Sequence, residues 1–305
     1  MKILIIGFGS IGKRHFEILN ALVVVSSVNI VSKQNIQIKD TVVYATLSDV
    51  TKITDYDYFV IASETSKHYQ QLKYISEKVS GKKIIVEKPL FDKEYETIEC
   101  DNKVFTAYNL RFHPVIEQLK QFLENEKVYY VNAICGQYLP LWRPEQDYRQ
   151  SYSADINQGG GVLRDLSHEL DYLTWLFGEF KSIEAINTKV SDLDISSDDI
   201  FTAIAVTKSK VIINVTVDYI SKTPIRRLII HTLENTLEVD VINNSIVIYD
   251  KKSNKKVIDV NKEDRNYSYT KMHKSIINNH FNTACSFDEG KNIVNIIDSI
   301  SFKEL

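Results

Sequence analysis

Six short apolar runs near the start of the chain predict the strands of a buried parallel sheet. They lie at residues 1–6, 28–31, 41–45, 57–62, 82–86 and 104–108. Strands that are covered on both faces are apolar throughout, as most of these runs are. An amphipathic helical pattern follows the first run, and strands that alternate with helices are typical of a doubly wound α/β domain. We expect this domain to cover residues 1–114.

In the second half of the chain, most predicted strands alternate between apolar and polar residues. These strands lie at residues 127–135, 211–219, 228–230, 237–241 and 246–248. Alternation with a period of two predicts an antiparallel sheet with one covered and one open face. We expect an α+β domain at 115–305, with its C-terminal helices packed back on the body and an exposed acidic loop at 191–199. The open face is a candidate surface for a homo-oligomer, either a dimer or a tetramer.

A glycine-rich turn follows the first strand directly. Its G-x-G-x-x-G spacing, between a strand and a helix, predicts a dinucleotide-binding unit of the Rossmann type, and an ordinary turn is the alternative. Gly7 permits the tight turn, Gly9 lets backbone N–H groups approach a pyrophosphate, and Gly12 lets the helix lie close to the strand. The helix N-terminus then offers N–H groups to the phosphates. The residues assigned to the cofactor here are Gly7, Phe8, Gly9, Ser10, Ile11, Gly12 and Arg14.

The end of the second predicted strand carries information about the nucleotide. NAD-binding units place an acidic residue about twenty positions further on, where it binds the ribose 2′-hydroxyl. This chain has Ser32, Lys33 and Gln34 there instead. A hydroxyl and a cation suit a 2′-phosphate, so NADP is favoured over NAD as the cofactor. The alternative is that Lys33 is only a solvated loop residue.

Polar residues also follow the fourth and fifth predicted strands, at the edge where open parallel sheets bind ligands. Lys88 is the most informative, because Pro89 restricts its backbone and a buried lysine can act as an acid or base. A surface pair of Glu87 and Lys88 is the alternative for Lys88. Thr65 and His68 are candidate nicotinamide-side or capping residues, and His68 can equally be an N-terminal helix residue with no function. The further residues assigned to the cofactor side are Ser63, Glu64, Thr65, His68, Glu87, Lys88 and Asn109.

A segment rich in aromatic residues and arginine follows the first alternating strand. Aromatic rings stack on the C–H faces of sugars, and guanidinium groups hold hydroxyls or a carboxylate. The segment therefore predicts contacts to a sugar-like substrate, and a rigid loop between domains is the alternative. The candidate residues are Trp142, Arg143, Tyr148, Arg149 and Tyr152.

Leucines at helical spacing predict one continuous helix from the glycine triplet at 159–161 to Gly178. Asp165 and His168 are three positions apart and would share a face of that helix, with Asp171 one turn beyond. A histidine between carboxylates is an orientable general base, and a buried histidine satisfied by an aspartate is an equal alternative. One histidine and two aspartates make a poor metal site, so we expect no metal.

Composition and charge narrow the possible partners of the 305-residue chain. Its formal net charge is −3 and it has no basic block, so we expect neither nucleic acid nor a membrane surface as a partner. The cysteines, Cys100, Cys135 and Cys285, are scattered, which is typical of reduced thiols. No stretch approaches the roughly 20 apolar residues of a membrane helix. We expect a cytoplasmic protein.

Four motifs together resemble those of the Gfo/Idh/MocA oxidoreductase family. They are GFGSIGKRH at 7–15, EKP at 87–89, NLRFHP at 109–114 and GGGVLRDLSHELD at 159–171. The resemblance runs nearly end to end. It implies an N-terminal Rossmann domain, a C-terminal α+β domain with an open antiparallel sheet, and hydride transfer between NAD(P) and a carbohydrate-like alcohol or carbonyl.

The resemblance also assigns roles to single residues. The lysine of the EKP motif matches Lys88, and the catalytic Asp and His of the family match Asp165 and His168, which also face the substrate. Arg111 of the NLRFHP motif is assigned to the substrate. The family usually spaces that Asp and His four positions apart, whereas this chain spaces them three positions apart, so Asp171 is an alternative partner of His168.

The resulting hypothesis is an NAD(P)-dependent dehydrogenase or reductase that acts on a CH–OH group of a sugar, sugar acid or nucleotide-sugar. The segment rich in Tyr, Trp and Arg resembles a subgroup found in bacterial surface-sugar pathways, which makes surface-polysaccharide biosynthesis the expected setting. The alternatives are an NAD-dependent glycosidase that acts by transient oxidation and a non-catalytic NAD(P)-binding sensor.

Overall fold

The computed structural model describes residues 1–300, 302 and 303. Its contacts divide the chain into two compact units. The first unit comprises Met1–Phe112 and Asp264–Asn295, and the second comprises His113–Glu263 and Ile296–Leu305. The first unit therefore draws on two separate stretches of the chain. The domain ranges 1–114 and 115–305 stay a prediction.

All six apolar runs near the start of the chain form strands, which confirms the predicted parallel sheet. The strands are β1 Lys2–Ile6, β2 Ser27–Val31, β3 Val43–Tyr44, β4 Tyr58–Ile61, β5 Lys83–Val86 and β6 Lys103–Thr106. They are parallel and lie in the order β6-β5-β4-β1-β2-β3. The strand order reverses between β1 and β4, and ligands of doubly wound sheets bind at the carboxyl ends of the strands at such a point.

Helices cover both faces of this sheet because successive side chains of a strand point to opposite sides. The helices of the first stretch are α1 Ser10–Asn20 and α2 His68–Lys78. Ile3 and Ile5 of β1 pack in one apolar cluster with Phe16 of α1. Leu4 belongs to a second cluster, with Leu72 of α2. The sheet is therefore doubly wound, as the continuous apolar runs predict.

The second unit is built on an eight-stranded, mainly antiparallel sheet. Its helices are α3 Pro114–Leu123, α4 Val162–Asp165 and α5 His168–Phe177. Its strands are β7 Val128–Gly136, β8 Phe180–Thr188, β9 Ile200–Thr207, β10 Ile212–Asp218, β11 Ile225–Thr232, β12 Asn235–Asp240, β13 Ser245–Asp250 and β14 Lys255–Asp259. The order is β14-β13-β12-β11-β7-β10-β9-β8, and β7 pairs with β10 in parallel.

The two faces of this second sheet differ as the alternating pattern predicts. Ile213, Val215 and Val217 of β10 are buried on one face. On the other face Ile204 is 59% exposed and Ile212 is 46% exposed. One face is thus covered, and the other is open with apolar side chains on it.

The predicted continuous helix after the glycine triplet is wrong. It is divided into α4 and α5, because Leu166 leaves helical geometry with φ −101° and ψ 27°. Asp165 ends α4 and His168 begins α5, so the argument that they share one helix face does not hold. Leucine spacing reports only periodicity, and it cannot detect the tertiary hydrogen bonds that anchor Asp165 at the end of α4.

The prediction of an exposed acidic loop at 191–199 is wrong for its last residues. Ser197, Asp198 and Asp199 are buried. Asp199 accepts hydrogen bonds from the backbone N–H groups of Val190 and Ser191, and Asp198 accepts one from Leu163. Burial of these carboxylates is tolerated because backbone donors satisfy them.

The last elements are α6 Tyr267–Ile277, β15 Cys285–Ser286 and α7 Phe287–Ser299. Met272 and Ile276 of α6 join the same apolar cluster as α1, and β15 pairs antiparallel with β6. A capping box of Ser286 and Glu289 begins α7. The carboxylate of Glu289 accepts from the backbone N–H of Ser286, whose hydroxyl accepts from the N–H of Glu289.

No helix in the described part of the chain combines the length and the apolar character that a membrane span requires.

Candidate active site

The glycine-rich turn lies at the carboxyl end of β1, and α1 begins directly after Gly9. Gly7 has a φ of +95°. A Cβ on Gly12 would lie 2.3 Å from the carbonyl oxygen of Gly7, so only glycine lets α1 pack this close to the turn. Among the described residues, no side chain caps the start of α1, and a Cβ built on Gly9 would meet no atom within 4 Å beyond Gly9 itself and its neighbours in the chain. The turn therefore fits a dinucleotide pyrophosphate at the helix N-terminus.

Alanine substitutions at two of these glycines should separate packing from nucleotide binding. We expect Gly12→Ala to lower the free energy of unfolding by about 1–3 kcal/mol, because its Cβ overpacks the turn. Gly9→Ala should leave stability unchanged but weaken NADH binding, since its Cβ enters the space where a pyrophosphate would approach. Urea unfolding and NADH fluorescence titration of both variants measure the two effects. Equal behaviour of the two variants would contradict this division of roles.

The remaining residues assigned to the cofactor follow neighbouring parallel strands, so the fold brings them to the same sheet edge. Ser32 and Lys33 follow β2, and Lys33 is exposed. Ser63 follows β4 and donates to Gln71 at 2.7 Å, while exposed Glu64 pairs with Lys67. The assigned residues at this edge are Ser32, Lys33, Ser63, Glu64, Thr65, Glu87 and Lys88.

His68 is a buried residue at the start of α2. Its Nδ1 lies 3.3 Å from the carbonyl oxygen of Pro89 and 3.2 Å from that of Leu90, and its Nε2 lies 3.1 Å from that of Ser63. Burial lowers its pKa from the ordinary value. His68 therefore ties the segment after β4 to the segment after Lys88, which is a structural role. Its contact to the cofactor stays a prediction.

Lys88 is half-buried directly after β5, and its neighbour Glu87 is buried. The backbone N–H of Lys88 donates to one carboxylate oxygen of Glu87 at 3.2 Å. The carboxylate thereby fixes the backbone from which the lysine side chain starts. The other oxygen of Glu87 lies 2.9 Å from Nε2 of His15 in α1, a contact that no spacing in the sequence indicates.

Asn109 and Arg111 belong to one short 3₁₀ turn and are both buried. Nη1 of Arg111 donates to Glu289 at 2.8 Å, and this guanidinium is therefore held by a carboxylate of the same unit. The structure thus places Arg111 in the interior of the first unit. Its predicted role in substrate binding stays a prediction.

In the second unit, three hydroxyl groups converge on the carboxylate of Asp165. Tyr152 donates to one oxygen at 2.9 Å, and Ser153 and Tyr219 donate to the other at 2.6 Å each. Gly160 makes this arrangement possible, since a Cβ on it would lie 2.1 Å from the carbonyl oxygen of Tyr152. No motif or spacing in the sequence had indicated Ser153 or Tyr219 as site residues. Tyr219 continues the buried face of β10, which is the one pattern that could have pointed to it.

The two tyrosines remain protonated donors in this cluster. The negative charge of Asp165 raises the pKa of Tyr152, and burial followed by the charge of Asp165 raises the pKa of Tyr219. Burial also raises the pKa of nearby Asp198 to about 6. The cluster is thus a small polar network in which one carboxylate orients several hydroxyl groups.

The other residues predicted to contact substrate each have a different environment. The indole N–H of Trp142 donates to the carbonyl of Gln137, and its ring lies edge-on to Tyr219. The hydroxyl of Tyr148 accepts from the backbone N–H of Asp194. Exposed Arg149 forms a bidentate ion pair with Asp147, in which Nε donates to Oδ1 and Nη2 donates to Oδ2. Arg143 is exposed, and its positive charge acts to lower the pKa of Tyr152, against the larger effect of Asp165.

His168 is half-buried at the first position of α5, and Asp171 is fully buried one turn later. Between them, Glu169 is buried and accepts from Nε of Arg226 at 2.7 Å. This ion pair holds α5 against β11 and was also missed from the sequence. The orientation of His168 by Asp165, with Asp171 as the alternative, stays a prediction.

His113, the N-cap of α3, should make stability depend on pH. Burial and the charge of Arg226 lower the pKa of His113 to about 4. An unfolded histidine titrates near 6.5, so the unfolded state binds more protons between these values, and stability is lost as pH falls through this window. We expect the wild type to lose about 1–2 kcal/mol more than His113→Asn between pH 7 and pH 5.

Asparagine is the matched replacement, because it can still accept the N–H of Val115 that Nδ1 of His113 accepts. Urea unfolding of both proteins at the two pH values measures the difference. Parallel losses in the two proteins would show that His113 does not titrate on unfolding.

Two family profiles match most of the chain. Residues 1–106 match a profile described as oxidoreductase family, NAD-binding Rossmann fold. Residues 116–238 match a profile described as GFO/IDH/MocA C-terminal domain. The chain belongs to the Gfo/Idh/MocA family. This membership confirms the resemblance of the four motifs and the predicted fold class, an α/β Rossmann domain with an α+β domain.

Individual members of the family are distant from this chain. A levoglucosan dehydrogenase from Pseudarthrobacter phenanthrenivorans is 28% identical over 143 residues, which are 44% of this chain and 37% of the relative. The chain thus matches less than half of the length of this curated relative. Among solved structures, a UDP-N-acetylglucosamine 3-dehydrogenase from Acidithiobacillus ferrooxidans has a TM-score of 0.77 and 18% identity, covering 98% and 96% of the two chains.

A levoglucosan dehydrogenase solved in complex with NADH has a TM-score of 0.81 and 17% identity, covering 98% of this chain and 95% of that one. At such identities the structural matches show a shared fold.

Proposed function

We propose that the protein is an NAD(P)-dependent oxidoreductase that transfers a hydride between a nicotinamide cofactor and a CH–OH carbon of a sugar, sugar acid or nucleotide-sugar. The observation that carries this proposal is the glycine turn packed at the carboxyl edge of β1, in a chain of the Gfo/Idh/MocA family. The names of the similar proteins, levoglucosan dehydrogenase and UDP-N-acetylglucosamine 3-dehydrogenase, support a sugar-type substrate.

The protein residues bind, orient and exchange protons. Lys88 polarises the substrate oxygen and helps proton transfer, and His168 takes or gives the hydroxyl proton. Asp165 or Asp171 orients the imidazole of His168. A bound nicotinamide supplies or accepts the hydride, while the chain provides position and electrostatics.

The segment around Asp165 is the proposed substrate side. Tyr152, Trp142 and Arg143 offer two aromatic rings and a guanidinium, which suit the C–H faces and hydroxyls of a sugar. A nucleotide-sugar substrate would agree with a role in surface-polysaccharide biosynthesis, which we keep as the proposed setting. The three hydroxyls on Asp165 hold this segment in place.

A cofactor and substrate survey tests the function directly. Purified protein is mixed with NAD or NADP and a panel of free sugars, sugar acids and UDP-sugars, and absorbance at the nicotinamide band is followed. Reduction of the nucleotide by at least one class of substrate is expected, with NADP preferred because Ser32 and Lys33 follow β2. Sugar release without net reduction would support the glycosidase alternative, and tight nucleotide binding without turnover would support the sensor.

We also propose that two copies associate through the open face of the eight-stranded sheet. Ile204 and Ile229 lie in the same cross-strand row of that face, through Asn214 and Asn132, and are 59% and 40% exposed. Apolar side chains in such a row are typical of an interface. Light scattering should give a multiple of the 35.1 kDa chain mass, and a monomer would contradict the proposal.

A further inference from the structure

Four buried side chains of the first unit form one continuous hydrogen-bonded chain that ends beside Lys88. Nε2 of His15 lies 2.9 Å from Oε1 of Glu87, and Nδ1 of His15 lies 2.7 Å from Nε2 of His273. Nδ1 of His273 lies 2.9 Å from the hydroxyl of Tyr58. His15, His273 and Tyr58 have no exposed surface, and Glu87 is 6% exposed. We call these four residues the buried relay.

The buried relay joins elements that are far apart in the sequence. Tyr58 begins β4, Glu87 follows β5, His15 lies in α1 and His273 lies in α6. The relay therefore connects the helix that starts at the glycine turn with the segment that carries Lys88. It also gives a physical reason why residues 264–295 belong to the first unit, because His273 is the central link.

Hydrogen-bond chemistry assigns a direction to the relay. Burial raises the pKa of Tyr58, so its hydroxyl keeps its proton, and Nδ1 of His273, 2.9 Å away, is the acceptor within hydrogen-bond reach of that proton. Nε2 of His273 then carries the hydrogen and donates to Nδ1 of His15. Nε2 of His15 consequently carries a hydrogen as well and donates to the carboxylate of Glu87. Two imidazoles that carry their hydrogen on Nε2 and one accepting carboxylate oxygen satisfy these contacts.

The reverse direction of donation is disfavoured by the contact between His15 and Glu87, at the end of the buried relay. If His15 carried its hydrogen on Nδ1, the lone pair of Nε2 would face an oxygen of Glu87 at 2.9 Å. Two acceptors at that distance repel each other unless Glu87 holds a proton. The hydroxyl of Tyr58 thus selects, through two imidazole tautomers, the state in which an oxygen of Glu87 accepts from Nε2 of His15.

We propose that Tyr58, His273 and His15 are positioning residues for Lys88, acting through the carboxylate of Glu87. The second oxygen of Glu87 accepts the backbone N–H of Lys88, so the direction in which the carboxylate is held also sets the start of the lysine side chain. The importance of Lys88 itself rests on the proposed function. The relay is closed from water at Tyr58, which makes it an orienting device and not a path for protons to solvent.

The first arm of the test is the tautomer of each histidine in the wild-type protein, read by ¹⁵N NMR of histidine-labelled material. His15 and His273 are both expected as neutral imidazoles with the hydrogen on Nε2. A hydrogen on Nδ1 of His15 would overturn the proposal. This arm needs neither a variant nor enzyme activity.

The second arm compares Tyr58→Phe with Tyr56→Phe, a matched loss of a buried phenol whose hydroxyl accepts from Asn29 outside the relay. The rate at which acetic anhydride modifies Lys88 is measured by peptide mass spectrometry, with exposed Lys93 as the internal reference. Tyr58→Phe should change the Lys88 rate about fivefold, as expected for one lost hydrogen bond, and lower the Nε2–H population of His15. Tyr56→Phe should change neither.

Equal Lys88 rates in Tyr58→Phe and Tyr56→Phe would overturn the proposal. His273→Gln provides a second variant that interrupts the relay if Tyr58→Phe does not fold, with the same expected change at Lys88. Because both arms are measured without substrate, failure of the relay can be told apart from failure of the proposed oxidoreductase function.

Discussion

Replacing Lys88 with methionine is expected to lower kcat by about 10²–10⁴-fold while NADH binding survives. Methionine keeps most of the length of the side chain but removes the ammonium that we propose polarises the substrate oxygen. The half-buried position of Lys88 after β5 allows this exchange with little change in packing. Steady-state kinetics on the substrate found in the survey, together with NADH fluorescence titration, measure the two quantities.

Lys93→Met is the matched control for this experiment. Lys93 is exposed in the same unit and lies over the ring of Tyr95, and its loss should leave kcat unchanged. If Lys88→Met also retains wild-type turnover, Lys88 has no catalytic role.

Replacing His168 with asparagine is expected to lower kcat by a similar factor, about 10²–10⁴-fold, with nucleotide affinity preserved. Asparagine can still donate and accept hydrogen bonds at the start of α5, but it cannot take or give a proton. The pH profile of kcat should therefore lose the limb that a titrating base produces. Kinetics over a range of pH, with circular dichroism to verify folding, measure this effect.

His231→Asn is the control, because His231 is exposed on β11 of the same unit. It should leave both kcat and the pH profile as in the wild type. An unchanged profile in His168→Asn would instead assign the proton transfer to another group.

Much of the first unit could be predicted from the sequence, because its signals are local. Apolar runs indicate strands that are buried on both faces. The spacing of the glycines at Gly7 and Gly12 is required because the backbones at these two positions lie in close contact. The packing of Gly12 against Gly7 shows that requirement directly. Residues at the ends of β2, β4 and β5 share one edge because parallel strands align their carboxyl ends.

The predictions for the helix after the glycine triplet and for the acidic loop are wrong where tertiary contacts override the local sequence pattern. The leucine pattern continues through residues 162–177, but three hydroxyls from other segments hold Asp165, and the helix breaks after it. The acidic residues near 198 have the composition of a solvated loop, yet Asp198 is buried and accepts from the backbone N–H of Leu163, 35 positions earlier in the chain. No spacing in the sequence records such partners.

The sequence by itself determined the family, the two kinds of sheet and the position of the glycine turn, because these depend on residues that are close along the chain. Only the tertiary structure showed that Asp165 accepts from three hydroxyl groups and that Arg111 is paired with Glu289. It also showed that His15 and His273 connect Glu87 to Tyr58. These features are hydrogen bonds between residues tens to hundreds of positions apart. They exist only after the hydrophobic faces have packed and brought their donors and acceptors into reach.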